Sequence, residues 1–64
     1  VERTYSPPSD EQLVNFVCVQ VFGYGATDSE KAIARTAVSQ ASARAEWLRR
    51  HRELQEAIWE AADG

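Results

Sequence analysis

From Thr27 to Ala62 the sequence contains neither glycine nor proline. Those are the two residues that most reliably punctuate local structure, and alanine, the best helix former, recurs throughout the stretch. Thr27 stands three residues before Glu30. That is the spacing of a capping box, in which a hydroxyl accepts from the N3 amide while the N3 carboxylate reaches back to the N-cap amide. The pattern predicts one continuous helix over about residues 28–62, closed by Asp63 and Gly64. At the helical rise it would be roughly 50 Å long.

A helix of that length needs something to cover it. Its apolar seam runs Ala34, Val38, Ala41, Ala45, Leu48, His51, Leu54, Ile58, Ala62. The mean step is about 3.5 residues, the period that keeps a seam against its neighbour along a left-handed supercoil. The first half of the helix is small, with Ala34, Ala37, Ala41 and Ala45. The second half is large, with Trp47, Leu48, Leu54, Ile58 and Trp59.

A shorter helix precedes it. Ser9 and Gln12 form a second capping-box pair, and Asp10 and Glu11 place negative charge at the positive end of the dipole. Helix 1 is expected over about residues 10–22, ended by Gly23, the residue type that most often closes a helix. Residues 23–27 form the connector. The run Phe16 to Phe22 is rich in β-branched and aromatic residues and would also suit a strand; the cap and the terminating glycine favour the helix. Residues 1–8 lack periodicity and end in Pro7-Pro8, which predicts an extended arm.

The expected fold is therefore all-α, with a single helical-hairpin domain over residues 9–64. Helix 1 is apolar around most of its wheel, and a helix of that kind is buried on most sides. At about 20 Å it would cover only the alanine half of helix 2. The simplest completion is a symmetric pair, two hairpins forming a four-helix homodimer. Phe16, Val17, Trp47, Leu48, His51, Leu54 and Ile58 are the candidate interface. Size points the same way. A chain of 64 residues buries only about 60% of the surface its unfolded form exposes. With one cysteine and one histidine it has no internal disulfide and too few ligands for a structural zinc; no cofactor is expected.

The single Cys18 suits a reducing, cytoplasmic setting. No apolar run approaches the ~18 residues of a membrane span, and no basic segment precedes an apolar run as in a secretory signal. The net charge of −3 is carried by residues 1–28, with four acids and one base, while residues 29–64 hold six of each. The only basic cluster is Arg44, Arg49, Arg50 and Arg52, which could grip phosphates. Glu46, Glu53 and Glu56 lie at helical pairing distance from it.

Catalytic patterns are missing. Cys18 lies in an apolar run with no base within six residues, the setting of a core thiol. His51 has no serine or cysteine one turn away to activate and is expected to bond a carboxylate of a neighbouring helix. An enzyme is not expected. The reading favours a protein-binding modulator, of the size and composition common among small phage and bacterial regulators. It would dock on a larger protein and inhibit, recruit or stabilise it. Phe22, Tyr24 and Trp59 are the candidate partner-binding residues, because exposed aromatics on a fixed frame dominate binding energies. The alternatives are a nucleic-acid-binding dimer using the four arginines, or a purely structural oligomerisation subunit.

Overall fold

A computed structural model describes residues 4–63, and among these the chain forms three α-helices: α1 (Asp10–Phe22), α2 (Asp28–Ser39) and α3 (Ala41–Asp63). Both predicted capping boxes are formed. The Ser9 hydroxyl accepts from the Gln12 amide and the Ser9 amide donates to Gln12 Oε1; Thr27 and Glu30 repeat the arrangement. The run Phe16–Phe22 is helical, so the caps outweigh the strand propensity of its residues. Gly23 closes α1 with φ 85° and ψ −174°, and its amide donates to the Val19 carbonyl at 3.2 Å.

The single long helix expected over 28–62 is not formed; it is two helices, broken at Gln40. Gln40 has φ −82° and ψ 126°, an extended conformation. Its amide donates to the Ala37 carbonyl, and its own carbonyl accepts from the Arg44 amide at 2.8 Å. One residue thus ends α2 and starts α3. The local cause is the Thr36-Ala37-Val38-Ser39 segment. The Thr36 hydroxyl donates to the Ala32 carbonyl and the Ser39 hydroxyl to the Thr36 carbonyl at 2.6 Å. Such side chains compete with the backbone ladder and bend helices, and β-branched Thr36 and Val38 lower helix propensity further.

The break redirects the chain. The molecule measures 40 × 25 × 15 Å, shorter than the roughly 50 Å that a straight helix of 35 residues would need. The core is Leu13, Val14, Val17 and Cys18 of α1 against Ala34 and Val38 of α2, flanked by Phe16, Ala26, Trp47 and Leu48. Leu13 is fully buried. In the single chain one face of α1 is buried and Val21 is 54% exposed; the fuller enclosure is expected of the pair.

In the single chain the predicted seam is covered only in part. Ala34 and Val38 are buried, but Ala41, Ala45, Leu54, Ile58 and Ala62 are exposed. In α3 the half-buried row is Ala43, Trp47, His51, Gln55 and Trp59, at steps of four. Leu48 and His51 of the predicted seam are half-buried as well, and the exposed Leu54 and Ile58 lie in the half that a second copy is expected to cover. Trp59 is half-buried and Ile58 is 61% exposed.

Candidate partner-binding surface

Of the arm expected over residues 1–8, the first three lie outside the described residues, and residues 4–8 reach the helices through Tyr5. Tyr5 is half-buried. Its hydroxyl and His51 Nδ1 share a hydrogen bond of 2.9 Å, with the donor set by the imidazole tautomer. The two rings lie 5.6 Å apart. His51 therefore does not bond a carboxylate of a neighbouring helix, as the sequence suggested, but a phenol brought from 46 residues away.

Behind His51 stands Phe16 of α1, edge-on at 5.1 Å, and Phe16 in turn meets Trp47 edge-on at 6.0 Å. Both contacts have the edge-to-face geometry that aromatic quadrupoles favour. Two guanidinium groups lie over the ends of this chain of rings: Arg50 over Trp47 at 5.2 Å and Arg52 over Tyr5 at 5.9 Å. Tyr5, Phe16, Trp47 and His51 thus join the arm, α1 and α3. Five of the seven expected dimer residues (Phe16, Val17, Trp47, Leu48 and His51) are spent largely on this intramolecular packing. The other two, Leu54 and Ile58, point outward at 44% and 61% exposure.

Every described arginine is paired with a carboxylate. Arg44 pairs with Asp10 and Arg35 with Glu11, tying the start of α1 to α2 and α3. Arg49 lies near Glu46 and Glu53, Arg50 near Glu46, and Arg52 binds Glu56 at 3.0 Å. These are exposed pairs and individually worth little. Collectively they neutralise the basic cluster.

The concave feature between the start of α1 and the α2–α3 junction is lined by Asp10, Glu11, Val14, Arg35, Val38, Ser39 and Arg44. Its rim is the two ion pairs just named, which leave it without net charge. A shallower apolar groove follows the outer side of α2 over Ala32, Ile33, Thr36, Ala37 and Gln40. Cys18 is buried, in agreement with a core role.

The three expected partner-binding residues are placed differently from one another. Tyr24 is 95% exposed in the connector. Phe22 is half-buried at the end of α1 and Trp59 half-buried on α3. Val21 and Ile33, which the sequence did not single out, are also outward. Their exposure follows from which face of each helix meets the core, and periodicity alone leaves that choice open when most of the wheel is apolar. No protein-family model, curated protein or solved structure matches the chain.

Proposed function

We propose that this chain is a small dimeric helical module that binds a larger protein, without catalysis, and inhibits, recruits or stabilises it. The observation that carries this reading is the balance of apolar surface. Six residues are buried in the core, while five large apolar side chains (Val21, Tyr24, Ile33, Leu54 and Ile58) are substantially exposed. Large apolar side chains left in water by so small a core are the kind of surface that interaction sites use.

The partner surface is centred on Tyr24. The positive φ of Gly23 sets the exit of the chain from α1 ahead of the exposed Tyr24, with the exposed Val21 and half-buried Phe22 preceding it in sequence. A large aromatic on a fixed frame loses little entropy when a partner covers it. The nucleic-acid alternative is disfavoured by the pairing of Arg44, Arg49, Arg50 and Arg52 with carboxylates, since few uncompensated cations remain for counterion release.

The test is affinity capture from extracts of the source cells, followed by titration of the purified captured protein. Tyr24→Ala should keep full helicity and weaken binding by about 1–4 kcal/mol, the range of a hot-spot truncation. Binding unchanged by Tyr24→Ala and by Phe22→Ala would remove this surface from the account. A folded chain that captures nothing would favour the purely structural subunit.

A further inference from the structure

Residues 4–8 are held to the helices by one side chain. Thr4, Ser6 and Pro7 are exposed and Pro8 is half-buried. Among the described residues, the only hydrogen bond these five make is the one between the Tyr5 hydroxyl and His51 Nδ1 at 2.9 Å. The contact is chemically specific all the same. The Tyr5 ring is tilted against the imidazole at 5.6 Å, and the Arg52 guanidinium lies 5.9 Å from its centroid. Arg52 is itself held in place by Glu56 at 3.0 Å, and Phe16 backs the imidazole edge-on at 5.1 Å. A phenol uses all of these features. Its ring face takes the cation, its ring takes the imidazole, and its hydroxyl takes the imidazole nitrogen, which a phenylalanine would leave unpaired.

We propose that the slot formed by His51, Phe16 and Arg52 recognises a tyrosine in an extended segment of a partner protein, and that the arm is its occupant in cis. This is a second surface, on α1 and α3, beyond the one centred on Tyr24. The seated arm shows what fits. Pro7 and Pro8 keep the chain after Tyr5 extended, so the slot takes its tyrosine from a segment without regular structure. Attachment through one side chain makes the arm exchangeable. Its tether makes it a standing competitor, at an effective concentration on the order of millimolar for a short linker. Only a segment with contacts beyond its tyrosine displaces it, and the arm thereby raises the threshold for binding. Displacement uncovers Phe16, His51 and Trp47 between Arg50 and Arg52, and Trp and Arg are residue types enriched at binding hot spots. The arm of a second copy is a poorer occupant. It offers the same contacts as the tethered arm and adds the entropy cost of association.

The experiment is a nuclear magnetic resonance titration of the full chain, wild type and Tyr5→Ala, with a synthetic peptide of residues 1–9. Tyr5→Ala should keep its helicity by circular dichroism and bind the peptide saturably, with shifts at Phe16, Trp47 and His51. Wild type should bind it about tenfold more weakly or worse, because its own Tyr5 fills the slot. The same peptide carrying Tyr5→Phe should bind Tyr5→Ala about two- to tenfold more weakly, the worth of one hydrogen bond. Tyr24→Ala added to this background should leave peptide affinity unchanged, so the two surfaces stand or fail independently. A folded Tyr5→Ala chain that binds no peptide would overturn the proposal, as would equal affinity in wild type and Tyr5→Ala, or equal affinity for the two peptides. Loss of helicity in Tyr5→Ala would make Tyr5 part of the core and overturn it too. Sedimentation velocity covers the remaining occupant: self-association of wild type that Tyr5→Ala abolishes would assign the slot to the arm of a second copy and overturn the reading of a partner segment.

Discussion

Gly23 occupies a backbone region that only glycine enters readily, with φ 85° and ψ −174°. A β-carbon there would meet open space, with nothing within 4 Å, so the constraint is torsional and not one of packing. Gly23→Ala is expected to cost about 1–3 kcal/mol of stability, measured by urea denaturation; an unchanged midpoint would mean the connector relaxes freely. Tyr5 raises a different question at the same scale. Its hydroxyl bonds His51 across a part-buried contact, while its ring also lies under Arg52. Tyr5→Phe keeps the ring and removes only the hydroxyl. The expected loss is about 0.5–1.5 kcal/mol, the net worth of one such hydrogen bond. No loss would assign the arm's attachment to ring packing alone. The sequence carried clear signals for Gly23 and for both capping boxes, since each depends on residues three or four positions apart. The Tyr5–His51 contact carried none, because nothing local relates residues so far apart in the chain. Pro7 and Pro8 stiffen the approach of the arm without specifying where it lands.

At the scale of the element, the break at Gln40 decides which side chains face outward. It was not legible from the breakers usually sought, since the stretch has neither glycine nor proline. The signal present was weaker: Thr36, Val38 and Ser39, two hydroxyls and two β-branched residues within four positions, in an otherwise alanine-rich helix. Ala41→Pro separates the two descriptions of this region. Proline is favoured at the first position of a helix, and the extended φ and ψ of Gln40 suit a residue preceding proline. With the break in place, Ala41→Pro should be neutral or stabilising by about 0.4–1 kcal/mol. In a continuous helix the same change would cost about 3 kcal/mol or more. Thermal melting with circular dichroism reads the difference. The seam drawn through Ala41, Ala45 and Ala62 failed for this reason: a 3.5-residue period is meaningful only while the helix is continuous. The all-helical class, the bounds of α1 and the start of α2 followed from the sequence; the separate α3 did not.

For the whole molecule, the three helices bury little. Helix α3 has no fully buried residue, and its second half projects Leu54 and Ile58 into solvent. Small domains of this kind are commonly completed by association. The aromatic chain from Tyr5 through His51 and Phe16 to Trp47 packs the first half of α3 against α1 and the arm, and Leu54 and Ile58 beyond it stay exposed. Tyr24 lies in the connector, away from α3 in sequence, and is 95% exposed; the proposed contact with a larger protein is centred there. Which faces stay free was the part least visible in the sequence, since Trp47, Leu48, Ile58 and Trp59 are equally apolar and only the phase set at Gln40 sorts them. If folding and pairing are linked, stability depends on mass action. The direct measurement is the melting temperature of the wild-type chain over a wide range of protein concentration. The account predicts a midpoint that rises steadily with concentration, and a rise abolished by Ile58→Asp. A cooperative melt with the same midpoint at every concentration would contradict it.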